Sequence, residues 1–331
     1  MAKTVNAAFD YFLREKVRID KDRSDVAKSS KSNLIEEIKK FPNDGKFPQL
    51  HPDISIDYGS FSRKTKIRPL DDIDLMIILD GQGSTWDEVG DHLVIRVNNS
   101  ASKLLDLCHD FSNELNSIKV VNKFVEYLSG VTNYKKADVK RNMEAATLNL
   151  ISYEWIYDIV PCFITKEDGL GKQFYVIPDG KGNWKATDPR IDKVRTQQVN
   201  NAQKVSVLDM IRLMKYWTKR PTMPTMKSYF LENLILDYYG AHNDSVQWVD
   251  RELPSLFQYI YHNVMKVLND PKGYQGDINH LSYEERQKIK DRASTDYDKA
   301  LEAIQFEIDN DMSRAIGKWR EIFGDEFPMY Y

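Results

Sequence analysis

Two aspartates one residue apart, Asp72 and Asp74, open an apolar run that continues to Leu79. In a β-strand alternate side chains share a face, so both carboxylates project to one side at the strand's start. Like charges held that close repel, and the pairing makes chemical sense with a divalent cation between them. A third aspartate, Asp158, sits in the stretch Tyr157-Asp158-Ile159-Val160-Pro161 and completes the set if the two strands are neighbours. Three carboxylates on adjacent strands are the protein's share of a two-metal site, where one ion activates an attacking hydroxyl and the other holds the leaving phosphates. Asp at a strand entrance also serves as a turn or capping residue, and a lone D-x-D arises by chance. Gly59-Ser60, twelve residues ahead of Asp72 counted from Ser60, tips the reading toward chemistry. A glycine lets the backbone come close to a ligand, and a hydroxyl with open amides at a helix start binds a terminal phosphate.

The elements around these residues read as follows. Val5, Phe9, Phe12 and Leu13 recur at helical spacing, and a second helix over about 25–40 is stopped by Phe41-Pro42-Asn43-Asp44-Gly45. Ile54–Tyr58 and Ile73–Leu79 predict strands joined through Gly59-Ser60 and a basic loop carrying Arg63, Lys64, Lys66 and Arg68. A helix over about 99–116 and strands over 146–151 and 155–163 follow. Gly169, Gly171, Pro178, Gly180, Gly182 and Pro189 then mark a turn-rich connection to a helical second half. There Val207, Met210, Ile211, Met214 and Trp217 form one apolar stripe, Tyr229–Tyr239 form another ending at Gly240, and Ser282 with Glu285 caps a long region, broken inside, that reaches Phe323. The expected architecture is α+β: a mixed-sheet lobe over 1–165 and a mainly helical lobe over 166–331.

Composition narrows the function classes. Of 331 residues 41% are hydrophobic and 29% charged, as in a chain with a substantial core, which excludes disorder as the main state. Forty-seven basic residues against 50 acidic ones leave a formal charge of −3, so no global field draws the chain onto nucleic acid or anionic lipid. Nine basic residues against three acidic ones between Lys185 and Arg220 form a local excess that suits a triphosphate. Cys108 and Cys162 lack metal-ligand spacing, and two cysteines in this length point to a reducing cytoplasm without a disulfide framework. Cys162 reads as packing, and the six scattered histidines make no metal site. No apolar run approaches the roughly 20 residues of a membrane span.

The set Gly59-Ser60, Asp72-x-Asp74 and Asp158-Ile-Val-Pro resembles the polymerase-β nucleotidyltransferase superfamily. The longer run from Gly59 to Leu75 resembles the bacterial cGAS/DncV-like nucleotidyltransferases of anti-phage signalling. Trp184 with Asp188-Pro189, Ile211–Trp217, Lys227-Ser228-Tyr229 and Trp319–Pro328 agree with that family in order. The resemblance implies two Mg²⁺ ions, with Mn²⁺ as the alternative, on Asp72, Asp74 and Asp158. It implies a donor triphosphate held by Gly59, Ser60, Lys215 and Ser228, with its base stacked on Tyr229. The substrates it implies are ATP, with GTP or another NTP, and the product is a cyclic di- or trinucleotide read by a downstream effector. From composition alone Lys215, off its helix's apolar stripe, reads as solvated, Tyr229 reads as core, and the loop Arg63–Arg68 reads equally as solvated or as phosphate lining. Tyr229→Ala should weaken binding through lost stacking, while Tyr229→Phe should be mild. A template-independent RNA nucleotidyltransferase shares the aspartates, but it needs a broad basic surface. A non-catalytic, antitoxin-like relative predicts a damaged carboxylate set, and here all three are intact.

Overall fold

Apolar runs build one mixed sheet, and amphipathic helices build a separate core. The computed structural model describes residues 2–242 and 244–331. Its helices are α1 (Val5–Phe12), α2 (Lys21–Ile38), α3 (Gly59–Ser62), α4 (Ser102–Leu105), α5 (Ser117–Gly130), α6 (Pro189–Ala202), α7 (Val207–Thr218), α8 (Ser228–Ala241), α9 (Val249–Asn263), α10 (Tyr283–Ile308) and α11 (Met312–Phe323). Its strands are β1 (Leu50–Asp57), β2 (Asp72–Leu79), β3 (Thr85–Val89), β4 (His92–Arg96), β5 (Asp138–Asn142), β6 (Ala145–Asn149), β7 (Ile156–Ile164), β8 (Tyr175–Pro178) and β9 (Trp184–Thr187). The fold is α+β. No helix among the described residues is long and apolar enough to cross a membrane.

The chain divides into two compact units, one of residues 22–62 and 70–190, the other of 1–21, 63–69 and 191–331. This differs from a split at residue 165 for physical reasons. The turn-rich stretch after Phe163 is not a connection but the β8–β9 hairpin, which continues the sheet from β7 and buries Tyr175, Val176 and Trp184. The N-terminal helix belongs to the helical unit because Phe9 packs edge-on to Trp319 and Phe327, each at 5.0 Å, and Phe12 to Tyr216 at 4.8 Å.

In the sheet unit the strand order is β1-β2-β7-β8-β9-β4-β3, with β6 also on β7 and β5 on β6. Only β2 and β7 run parallel among these pairs. Both are buried along most of their length, so they read as continuous apolar runs. The helix expected over 99–116 shrinks to one turn, Ser102–Leu105. Asn116, expected at its end, instead begins α5 as an N-cap whose Oδ1 accepts from the Ile118 and Lys119 amides.

In the helical unit Ser206 caps α7, and the capping box of Ser282 and Glu285 opens α10 as read from sequence. The break in the C-terminal helical region falls at Asn310, which takes a left-handed φ of 61°, and Asp311 then caps α11. Gly240 does not end α8. The helix runs on to Ala241 with His242 after it.

Candidate active site

The three aspartates meet on the parallel strands. Asp74 of β2 lies directly opposite Asp158 of β7, and Asp72 is two residues earlier on the same face, opposite Ile156. Farther along this face Met76, Ile78, Val160 and Cys162 are buried together, so the carboxylates stand at the polar edge of an apolar floor. Cys162 is packing, and burial pushes its thiol well above the ordinary range.

Gly59 explains why a glycine precedes the serine. It takes a φ of +74°, and a Cβ there would overlap the Asp74 carboxylate. The backbone of the α3 turn is thus laid against Asp74, which only a residue without a side chain permits. Tyr58 borders the same group. Burial first, and then the charges of Asp74 and Asp158, hold its hydroxyl well above the usual phenol range.

An oxygen-only set of three aspartates matches the hard cations Mg²⁺ and Mn²⁺. Among the described residues no three His, Cys, Asp or Glu side chains stand already gathered as an ion site. The fit lies in the strand register and the cradle at Gly59.

Lys215, Ser228 and Tyr229 belong to the helical unit, on α7 and α8. Ser228 is the exposed first residue of α8. Lys215 is not solvated. Only 5% exposed, its Nζ donates to Glu232 Oε1 at 2.5 Å and to the Thr65 carbonyl at 3.0 Å. Burial lowers its pKa, opposed by Glu232. Arg63, from the basic loop, donates to the other Glu232 oxygen at 3.0 Å, so part of that loop is structural.

Tyr229 is fixed through its hydroxyl. Asp192 Oδ1 at 2.9 Å and Asp270 Oδ1 at 2.7 Å share its proton, while Lys272 Nζ donates to the oxygen at 2.7 Å and lies 4.0 Å from the ring centre. Burial and these carboxylates hold the phenol well above its ordinary pKa, so it remains a donor. Tyr229→Phe keeps the ring on which a base would stack, yet it removes these hydroxyl contacts. Removing the hydroxyl takes a partner from three buried charges, and we expect a stability loss of about 1.5–3 kcal/mol, read as a lower urea midpoint at unchanged slope. An unshifted midpoint would show that these contacts contribute nothing.

The local basic excess is also largely internal. Among the described residues Lys185 pairs with Glu144, Arg190 with Asp188, Arg195 with Asp237, Arg212 with Asp209 and Lys215 with Glu232, and Arg220 donates to backbone carbonyls of α11. Sequence reasoning overlooked Glu232, Asp192, Asp270 and Lys272. One signal was available for Glu232: it lies four residues after Ser228, on the same helix face.

No known family profile matches the chain. It is 41% identical over 334 aligned residues, spanning 100% of this chain and 99% of the relative, to a probable cyclic nucleotide synthase from Bacillus cereus strain VD146. The chain belongs to the cGAS/DncV-like nucleotidyltransferases. The fold agrees with CdnC of E. coli MS115-1, solved with ATP, at a TM-score of 0.69 and 17% identity over 98% of each chain. CdnC in its complex with HORMA-deltaN matches at 0.68 and 16% identity, again over 98% of both chains. This nucleotidyltransferase thus keeps its three strand aspartates in register and its glycine against the central one.

Proposed function

We propose that this nucleotidyltransferase joins nucleoside triphosphates, ATP among them, into a cyclic di- or trinucleotide. The observation that carries the reading is the register that sets Asp74 beside Asp158 with Asp72 on the same face. The whole-length likeness to a named cyclic nucleotide synthase supports it. In each step an acceptor hydroxyl oxygen bonds to the α-phosphorus of the donor, the bond from that phosphorus to the bridging oxygen of the β-phosphate breaks, pyrophosphate leaves, and the hydroxyl proton passes to solvent. Two Mg²⁺ ions held by Asp72, Asp74 and Asp158 would supply an activated hydroxyl and a counter-charge for the leaving phosphates. Gly59 brings the α3 turn against Asp74, and Ser60 follows it there for the donor phosphates. In the helical unit, Lys215 and Ser228 offer donors to a triphosphate, and Tyr229, clamped through its hydroxyl, offers its ring to the base.

A closed ring fits better than a growing chain. A polymerase must hold a long polyanion, and each neutralised phosphate needs a Lys or Arg. Here most of the local basic excess is already paired with protein groups. A short acceptor that cannot slide along a groove can be turned back on the same carboxylates, and the second reaction closes the ring. We place this product in anti-phage signalling in the cytoplasm, read by a separate effector.

The test is incubation with all four labelled NTPs and Mg²⁺, then phosphatase treatment and mass spectrometry. One or two discrete phosphatase-resistant masses are expected, with only a modest loss of yield from low to moderate salt and complete loss in EDTA. A ladder that lengthens with time, or dependence on an RNA primer, would identify an RNA-tailing enzyme instead. No turnover of any NTP would identify a non-catalytic relative.

A further inference from the structure

Glu232 is a buried carboxylate, 1% exposed, that is held by two cations. Lys215 Nζ donates to its Oε1 at 2.5 Å and Arg63 Nε to its Oε2 at 3.0 Å. Burial alone would raise its pKa, yet Arg63 and Lys215 hold it down to about 2, so it is ionised throughout the working range. It sits one helical turn after Ser228 on the same face of α8, so the lysine it grips is drawn to the face that carries the serine. A lysine ammonium has three donors. Glu232 and the Thr65 carbonyl account for two of them, and their directions fix where the third points.

We propose that Glu232 is a positioning residue for the donor triphosphate: its carboxylate holds Lys215 charged and aimed, so that the third ammonium donor meets a phosphate oxygen beside Ser228. The proposal rests on the reading that Lys215 binds the triphosphate. The charged groups facing Lys215 are Glu232, Arg63 and Lys66, one acid against two bases. Desolvation already disfavours the cation, and Glu232 opposes that loss. Without the acid, burial and two neighbouring positive charges act in one direction, and the ammonium gives up its proton at a lower pH. A phosphate-binding cation that deprotonates loses its ligand as pH rises, so the sign of the effect is fixed: weaker ATP binding toward alkaline pH.

The experiment measures KM for ATP and kcat of the full chain with Mg²⁺ between pH 6.5 and pH 9 for the wild type and for Glu232→Gln. The wild type should show a nearly flat KM. Glu232→Gln should raise KM about tenfold at neutral pH, with kcat changed much less, and KM should then climb up to about tenfold per pH unit. Lys215→Arg in the Glu232→Gln background should flatten the profile, because a guanidinium does not titrate in this range. If Glu232→Gln does not fold, Glu232→Gln with Arg63→Met removes one acid and one base together and leaves Lys215 without its counter-ion, and the same rise in KM with pH is expected. A KM profile parallel to the wild type in whichever variant folds overturns the role of Glu232. Lys215→Ala with an unchanged KM for ATP overturns the underlying triphosphate reading separately.

Discussion

Asp74→Asn is expected to lower product formation by roughly a thousandfold or more while the sheet unit stays folded. The side chain keeps its shape and loses its charge, so what disappears is the ability to hold a cation against a phosphate. Transition-state charge stabilisation at such sites amounts to several kcal/mol, and each 1.4 kcal/mol is about tenfold in rate. Asp158→Asn and Asp72→Asn should behave alike, because the register joins the three on one face. The fold should survive because β2 is held by its ladders to β1 and β7 and by Ile73, Leu75, Ile77 and Leu79, all buried. Directly opposed like charges destabilise a strand pair, so the metal-free melting temperature should stay level or rise. Tyr58 provides an internal reporter. With one of its neighbouring carboxylates neutral, its phenol should titrate at lower pH than in the wild type, visible in the ultraviolet. Asp53→Asn, on exposed β1 backbone away from the register, should leave turnover unchanged. Turnover within tenfold of wild type for Asp74→Asn and Asp158→Asn would remove these carboxylates from the chemistry.

Period-two patterning made the shared face of Asp72 and Asp74 legible, and the apolar runs around them made β2 and β7 legible as strands. That Asp158 stands opposite Asp74 was expected only conditionally, since parallel pairing joins residues 84 positions apart and leaves no local trace. The β3–β4 hairpin was missed because β3 is exposed along its whole length and carries no alternation. The β8–β9 hairpin was missed because its glycines and proline resemble a linker until Trp184 is seen to be buried. Lys215 shows the same limit at a single residue. Flanked by Met214 and Tyr216 it reads as a surface break in an apolar stripe. Its burial depends on Glu232, seventeen residues later, and on Thr65, 150 residues earlier. A resemblance assigns Lys215 and Tyr229 their ligands. The ion pairs and hydrogen bonds that hold them come from pairings no local window contains.

Gly59→Ala is expected to lower turnover by about a hundredfold or more, and the reason can be separated into two parts. At a φ of +74° an alanine carries backbone strain of roughly 1–2 kcal/mol, which lowers stability wherever it occurs. Its Cβ would also overlap the Asp74 carboxylate, so the carboxylate must swing aside or the α3 turn must retreat. Either movement separates Asp74 from Asp158 or from the turn that carries Ser60, and misplacement of about 1 Å in such a site costs about a hundredfold in rate. Asparagine distinguishes the two parts, because it tolerates left-handed backbone better than alanine yet brings the same Cβ. Gly59→Asn should therefore retain more stability than Gly59→Ala and lose as much turnover. Combining Gly59→Ala with Asp74→Ala removes the carboxylate atoms nearest the new Cβ and leaves only the Cβ of residue 74, 2.8 Å away. The double variant should be more stable than the sum of the single changes predicts, and no less active than Asp74→Ala alone. If Gly59→Asn works near the wild-type rate while Gly59→Ala fails, the backbone conformation at residue 59 is the functional requirement, and its close approach to Asp74 is incidental.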